Sequence, residues 1–199
     1  GALGANTTAN SNTAVGNSAL ADNTTGTENV AVGQASLANN TTANANTAVG
    51  ANTLFTNTTG TFNVALGNGA LYANTTGDDN VGIGKNSLDT NTTGDENTAV
   101  GRDALTANTT ASENTAVGAY SLGTNTTGAA NVAVGRGALQ VNTTGGFNTA
   151  VGTGSSTENT TASNNTAFGG EAMKKTTTAS SNTAVGTSAL ACNTTGATN

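Results

Sequence analysis

Small apolar residues and Asn–Thr pairs alternate along this chain in a pattern that returns at every seventeenth position. The stretch Asn12-Thr13-Ala14-Val15-Gly16 has a counterpart in each later repeat, down to the repeat that begins at Asn182, with no insertion. Numbered 1 to 17 from Asn12, the unit reads N-[TV]-A-V-G-x-x-[AS]-L-x-x-N-T-T-[GA]-x-x. A strict period of roughly 20 residues is typical of solenoids, in which each repeat forms one turn.

The pattern predicts an all-β fold, namely a parallel β-solenoid (a β-roll or β-helix) with one turn per 17-residue repeat. A helical repeat is disfavoured because the apolar bursts are short and because Gly and Asn are frequent. We expect residues 1–199 to form a single continuous solenoid of about 11–12 turns. Since the chain starts and stops in mid-repeat, we also expect it to be a segment of a longer array without caps.

Within the repeat, the apolar positions 4 and 9 are the predicted core ladders. They begin with Val15, Val32, Leu20 and Leu37. Three extended segments are predicted, at positions 1–4, about 8–9 and 12–14. Position 5 is glycine in every repeat, as expected where the chain leaves a strand with positive φ or has no room for a Cβ atom. These predicted corner glycines begin with Gly16, Gly33 and Gly50.

Side chains alternate along a strand, so inward-facing positions 2 and 4 would leave positions 1 and 3 facing outward. Those two positions are nearly invariant Asn and Ala, although an exposed face should vary. Either the outward face is buried against other chains, or it is itself a binding surface. We expect the Asn residues to form hydrogen-bonded amide ladders between turns, as stacked Asn side chains do in cross-β assemblies, and the Thr pair to do likewise. The predicted ladder residues begin with Asn12, Asn29 and Asn46, with Asn23, Asn40 and Asn57, and with Thr24 and Thr25.

One region departs from the pattern. Ser156 replaces the Leu of position 9, and one turn later Phe168 and Met173 replace the usual Val and Leu. We expect Phe168 to fill the space that Ser156 leaves, which would keep the core densely packed. Thr176 replaces an Asn of position 12 in the same region.

Charge and composition narrow the function. The net charge is −6, which argues against a nucleic-acid partner because no basic patch is present. No apolar run is long enough to insert into a membrane. All charged residues lie in positions 6, 7, 10, 11, 16 and 17, which are therefore the predicted solvent-facing corners. Without the repeat, a chain with only 3% aromatic residues would be interpreted as disordered. The lone Cys192 is expected to be an incidental surface thiol.

Candidate chemistry is sparse. The chain has no His, its Ser residues lack a nucleophile–base arrangement, and its carboxylates lie on exposed corners, so we expect neither an enzyme nor a cofactor. The carboxylates that stack in positions 16 and 17 are Asp78, Asp79, Asp95, Glu96 and Glu113. We interpret them as a solvated edge rather than as a metal site, since the nonapeptide of calcium-binding rolls is absent. Asn-Thr-Thr, a formal glycosylation acceptor, is interpreted as a by-product of the ladders.

The run Asn-Thr-Ala-Val-Gly-x-x-[AS]-Leu resembles the head repeats of trimeric autotransporter adhesins and related phage tail-fibre repeats. The resemblance covers essentially the whole chain, although the adhesin repeats are shorter than the unit found in this sequence. It implies a left-handed β-roll, self-association as a homotrimer or filament, and display outside the cell or on a virion surface. The receptor is unknown.

We therefore expect a structural role, as an extracellular fibre or adhesin shaft. Two other functions are alternatives to it. A Thr-rich solenoid with few charges could bind ice through a flat array of hydroxyl and methyl groups. For that, an outward strand should read Thr-x-Thr, whereas Thr24 and Thr25 are adjacent, so only one of them points outward. Carbohydrate binding by exposed aromatic residues is the third possibility. The candidates are Tyr72, Tyr120, Phe62 and Phe147.

Overall fold

The computed structural model describes residues 1–199 as one eleven-stranded parallel sheet with strand order β1 to β11 and no helix. The strands are β1 (Thr13–Val15), β2 (Val30–Val32), β3 (Thr47–Val49), β4 (Val64–Leu66), β5 (Val81–Ile83), β6 (Thr98–Val100), β7 (Thr115–Val117), β8 (Val132–Val134), β9 (Thr149–Val151), β10 (Thr166–Phe168) and β11 (Thr183–Val185). We call each strand with the turn around it a rung and number the rungs by their strands.

The register confirms the predicted solenoid. Each strand pairs with the next one at an offset of one repeat, so that Thr13 lies beside Val30 and Val15 beside Val32. The same parallel pairing continues without interruption to the last pair, β10 with β11. The chain is therefore a β-solenoid in which every residue lies beside its counterpart in the neighbouring repeat.

The regular strand is shorter than the sequence suggested. Only positions 2–4 form a strand, and the predicted extended segments at positions 8–9 and 12–14 are turns and bends instead. Position 9 has positive φ in every rung, for example 50° at Leu20 and 49° at Leu37. Positions 7 and 17 also have positive φ, so each circuit closes through left-handed residues that are mostly not glycine. Such residues are rare in strands and bend the chain sharply.

The corner glycines are required for two reasons. Gly16, Gly33 and Gly50 have φ values of 129°, 137° and 135°, a region that other residues rarely adopt. In addition, a Cβ atom on Gly16 would lie 2.5 Å from the carbonyl oxygen of Gly33 in the next rung. Position 5 therefore brings successive turns into backbone contact.

The strands face the opposite way from the sequence-based prediction. Ala31 of position 3 is fully buried, and Asn29 of position 1 is buried as well. Val15 of position 4 is 57% exposed, and Val32 is only half-buried. The prediction that Val15 and Val32 belong to a core ladder is therefore wrong, because the narrow interior accepts Ala and Asn from the strand and leaves the larger Val side chains outside.

The apolar half of the interior consists of Leu, Ala and little else. Leu20 and Leu37 are fully buried, as are their position 9 counterparts up to Leu139. They pack with the Ala side chains of positions 3 and 8 in a cluster of 19 buried residues. Burial of a Leu side chain contributes about 1.5–3 kcal/mol, so this stack is the main apolar stabilisation of the rod.

Asn side chains form the polar half of the interior. The Oδ1 atom of Asn12 accepts the backbone N–H of Asn29 at 2.9 Å, and the same bond recurs between all successive rungs up to Asn199. The Nδ2 atom of Asn46 donates across the interior to the carbonyl oxygen of Gly60 at 2.9 Å. Position 1 therefore connects each rung to its neighbour and, in every rung except those that begin at Asn114 and Asn182, also to the opposite wall of its own turn.

The second Asn column is the amide ladder that the sequence predicted. Asn40 donates through Nδ2 to Oδ1 of Asn23 at 2.8 Å, and Asn57 donates in the same way to Asn40 at 3.1 Å. This ladder continues to Asn142, whose buried Oδ1 has no partner. It stops there because the next amide, that of Asn159, bonds both ways to Ala162 of its own turn.

The two Thr positions behave differently. The hydroxyl of Thr24 donates to the carbonyl oxygen of Thr41 at 3.0 Å, and the pattern repeats up to Thr160. Thr25 and its position 14 counterparts are exposed. The structure gives no inter-rung hydrogen bond to the Thr25 hydroxyl, so the ladder expected there is absent.

The volume compensation expected at Ser156 is also absent. Phe168 is 55% exposed and lies on the outer side of β10, whereas Ser156 is buried. As a result the apolar core divides at Ser156 into the cluster of 19 residues and a cluster of 4 residues that contains Met173. The defect in the Leu stack is left uncompensated because Phe168 sits on the outward side of its strand.

We expect Ser156→Leu to raise the free energy of unfolding by about 1–2 kcal/mol, since it restores apolar burial between Leu139 and Met173. The matched control is Ser181→Leu, at a position that also has positive φ but is exposed. Thermal unfolding followed by circular dichroism measures both. A transition that is unchanged or lowered in Ser156→Leu would show that no room exists beside Ser156.

Candidate functional site

The outward side of the sheet is a regular surface that extends over all eleven strands. We call it the strand face and define it as the side chains of positions 2 and 4. Position 2 contributes Thr13, Val30, Thr47, Val64, Val81, Thr98, Thr115, Val132, Thr149, Thr166 and Thr183. Position 4 contributes Val15, Val32, Val49, Leu66, Ile83, Val100, Val117, Val134, Val151, Phe168 and Val185. All of these side chains are half-buried or exposed, and each row runs the length of the rod.

The strand face is apolar for a solvent-exposed sheet. Every residue of position 4 is aliphatic or aromatic, and position 2 holds only Thr or Val. With strands about 4.8 Å apart, the two rows extend for roughly 48 Å and are about 10 Å wide, or roughly 500 Å². Monomeric proteins rarely expose a larger contiguous apolar patch, and patches of this size are often functional.

Charged residues flank the strand face in two edges of opposite sign. The acidic edge, at positions 16 and 17 just before the strands, consists of Glu28, Asp78, Asp79, Asp95, Glu96 and Glu113. The basic edge, at position 6 just after the strands, consists of Lys85, Arg102 and Arg136. No residue of the acidic edge forms an ion pair, and the only ion pair of the basic edge joins Arg102 to its neighbour Asp103 at 3.5 Å.

Two carboxylates of the acidic edge also bond along the rod. Asp78 accepts the backbone N–H of Thr61 at 2.6 Å, and Asp95 accepts that of Asp78 at 2.8 Å. The sequence-based prediction missed this ladder, although short polar residues recur at position 16. No group of three or more His, Cys, Asp or Glu side chains is close enough together to hold a metal ion.

The aromatic residues do not form a shared platform. Phe62 and Phe147 are exposed and lie five rungs apart. Tyr72 stacks on Phe55 of the preceding rung, with ring centroids 5.3 Å apart, a pair that the sequence-based prediction also missed. Tyr120 lies under the guanidinium of Arg102, whose carbon is 4.7 Å from the ring centroid, and its hydroxyl accepts a hydrogen bond from the same group.

Tyr120 also borders a shallow groove of about 730 Å³. Its lining includes Gly137 and Gly154, which have no side chains at position 7. Arg136 also lines it, as does Lys174, which is paired with Glu171 at 3.2 Å. The groove is polar and open, and no buried polar side chain points into it.

The Asn-Thr-Thr triplets are inaccessible as glycan acceptors over most of the rod. Asn23, Asn40 and Asn57 are fully buried, and their amide nitrogens donate hydrogen bonds inside the interior. A glycan on such a nitrogen would require the turn to open and would break the ladder. The interpretation of these triplets as ladder residues fits this geometry.

One carboxyl has an altered acidity. Partial burial, and secondarily the negative charge of Asp103, raise the pKa of Asp89 above its usual value. An aspartate whose pKa is raised by folding stabilises the folded state in acid, and this contribution is lost as the pH rises through the folded-state pKa.

We therefore expect Asp89→Asn to stabilise the fold at neutral pH and to have no such effect near pH 3. The gain should stay below about 1 kcal/mol because water screens this partly exposed group. Urea unfolding at the two pH values measures it, and Asp22→Asn, at an exposed carboxylate, is the control. Equal effects of Asp89→Asn at both pH values would contradict the assigned cause.

Leu, Ala and Asn side chains fill the interior of the rod, so the candidate functional surfaces lie on its outside. The structure contains no helix that is long and apolar enough to span a membrane. Comparison of the chain with protein-family models, with curated proteins and with solved structures gives no match. The strand face with its two charged edges is therefore the candidate functional surface, on the basis of its geometry alone.

Proposed function

We propose that this protein is a structural element, a rigid extracellular fibre or adhesin shaft whose copies associate through the strand face. The observation that carries the proposal is a parallel sheet with one uncovered apolar side. Parallel sheets occur almost only with both faces covered, and here the interior covers just one of them. A second copy is a suitable cover because it presents the same repeat spacing of about 4.8 Å.

The dimensions fit a stable interface. The strand face and its two edges together span eight residues, from position 16 to position 6 of the next unit, whose seven Cα steps cover about 20 Å across the strands. Over roughly 48 Å of length this corresponds to about 900–1,000 Å² per copy. A specific interface buries about 800 Å² per partner, so contact along the whole rod is large enough to hold two copies together.

The cross-linked interior and the variable corners suit a rigid shaft. The two Asn columns and the Thr24 column cross-link successive rungs by side-chain hydrogen bonds, which stiffen a thin rod. The corner positions vary from rung to rung without disturbing the interior, so they are the surface on which a receptor contact would be displayed. The resemblance to adhesin and tail-fibre repeats supports an extracellular setting.

Sedimentation velocity of the purified protein tests self-association. We expect an oligomer for the wild type, and a monomer for the double variant Val100→Asp with Val134→Asp, which places charges in the strand face. The matched control is Thr110→Asp with Thr144→Asp, on the same two rungs but at exposed position 14. A wild-type protein that sediments as a monomer at all concentrations would reject the proposal.

A second candidate, an ice-binding solenoid, is favoured by the strand face itself. Thr24 and Thr25 do not form the outward strand, which instead reads Thr-x-Val at Thr13 and Val15 and so presents alternate residues on one face. Seven of the eleven strands have Thr at position 2, so hydroxyl and methyl groups form a regular array. Thermal hysteresis measured on the wild type, at concentrations where sedimentation shows monomers, would support this function over assembly.

A further inference from the structure

The two edges carry charges that the single chain leaves uncompensated. Asp79, Glu96 and Glu113 are exposed and form no ion pair, and neither do Lys85 and Arg136. Like charges on adjacent rungs of the acidic edge lie about 5 Å apart and repel each other. The neutralising charges lie on the far side of the strand face, out of reach within one copy.

Both edges concentrate their charges at the same height on the rod. The acidic residues precede β5, β6 and β7, with Asp78 and Asp79 before β5, Asp95 and Glu96 before β6, and Glu113 before β7. The basic residues follow β5, β6 and β8, namely Lys85, Arg102 and Arg136 in that order. Outside this middle zone the edges hold a single charge, that of Glu28 before β2.

We propose that the copies associate as parallel rods, with the acidic edge of one copy against the basic edge of the next. This inference rests on the proposed self-association through the strand face. When rods are related by a rotation about an axis along their length, the edge before the strands meets the edge after the strands at equal height. Asp79 then approaches Lys85 of another copy, and Glu96 approaches Arg102, whose charge is shared with Asp103 of its own chain.

The antiparallel arrangement brings like charges together. A two-fold axis perpendicular to the rods and parallel to the strands reverses the order of the rungs in one copy. Rung 5 of one copy then faces rung 7 of the other, and rung 6 faces rung 6. The acidic edge then meets an acidic edge, and Glu96 lies against the other copy's Glu96. Like charges opposed across an interface disfavour that pairing, so the charges select the direction of the rods. Burial of all eleven rungs of the strand face then favours zero offset along the rod.

Neutralisation of the acidic edge distinguishes the two directions. We expect the triple variant Asp79→Asn, Glu96→Gln and Glu113→Gln to raise the dissociation constant about tenfold at low salt, because it removes attractive pairs. The difference should vanish at high salt. Glu28→Gln is the matched control, because Gln34 stands at the basic-edge position of that rung. Tighter association of the triple variant would indicate antiparallel rods and overturn the inference.

A direct distance measurement uses the exposed Cys192 on rung 11. Spin labels on this residue in two parallel copies lie at the same height, so only the width of the paired rods separates them. Pulsed electron resonance should then give a separation of roughly 30 Å or less, since packed sheets lie about 10 Å apart. In antiparallel copies the labels lie at opposite ends, at least about 48 Å apart. If the protein assembles but gives only the long distance, the parallel arrangement is contradicted and the proposed self-association stands. If the protein does not assemble at all, the proposed function itself is contradicted.

Discussion

Gly101→Ala is expected to destabilise the rod by about 3–5 kcal/mol. Gly101 has φ of 141°, a region essentially restricted to glycine, and occupancy by alanine costs about 1–3 kcal/mol of strain. The added Cβ atom would also lie 2.6 Å from the carbonyl carbon of Gly118 in the next rung. Relief of that collision requires two rungs to separate, which weakens the hydrogen bonds and the Leu stack between them.

Chemical denaturation followed by circular dichroism measures this loss. The matched control is Gly170→Ala, whose Cβ atom would meet nothing closer than 3.9 Å and whose φ is not positive. That control should be neutral, or stabilising by a few tenths of a kcal/mol through the entropy of the unfolded chain. Equal effects of the two substitutions would show that backbone contact at position 5 does not hold the rungs together.

Asn91→Asp should cost a similar amount, about 3–5 kcal/mol at neutral pH. Asn91 is fully buried, donates to Oδ1 of Asn74 and to the carbonyl oxygen of Gly94, both at 2.9 Å, and accepts from Nδ2 of Asn108 at 2.9 Å. A carboxylate keeps only the accepted bond and turns both donated bonds into contacts between oxygens. A buried charge without a counterion is among the costliest single changes.

The pH dependence of the Asn91→Asp variant identifies the cause. Burial should raise the pKa of the introduced carboxyl, so acidification should protonate it and return part of the lost stability. Asn164→Asp, at an exposed position, is the control and should leave the free energy of unfolding nearly unchanged. A loss in Asn91→Asp that does not shrink between pH 7 and pH 3 would show that the charge is not responsible.

The architecture could be predicted because the period alone determines which residues lie side by side. The pairing of Val15 with Val32 follows from the repeat, whatever the two side chains do. The direction of the strand could not be derived from hydrophobicity, since Val at position 4 is more apolar than Ala at position 3. Size was the better signal. Position 4 tolerates Val, Leu, Ile and Phe, as an outer surface can, whereas position 3 departs from Ala only at Gly82.

Other features differ in how much a single sequence indicates about them. Leu20 and Leu37 adopt left-handed φ because the circuit must close within one repeat, and Leu has no intrinsic preference for that conformation. The stacking of Phe55 on Tyr72 could be predicted from the sequence, because the two residues occupy the same position in consecutive repeats. The two charged edges become meaningful only once positions 2 and 4 are known to face outward.

The direction in which the strand side chains point is tested most directly by thiol reactivity. The measured quantity is the rate at which Ala65→Cys and Leu66→Cys react with a neutral maleimide. Both variants are made in a background that carries Cys192→Ser, which removes the native thiol, and Val100→Asp with Val134→Asp, which block association. Ala65 is fully buried, whereas Leu66 is 46% exposed. We therefore expect Leu66→Cys to react at nearly the rate of the unfolded chain. Ala65→Cys should react at least about a hundredfold more slowly, because its thiol becomes accessible only when the solenoid opens locally. Fast labelling of Ala65→Cys with protection of Leu66→Cys would contradict the orientation of every strand, and with it the strand face.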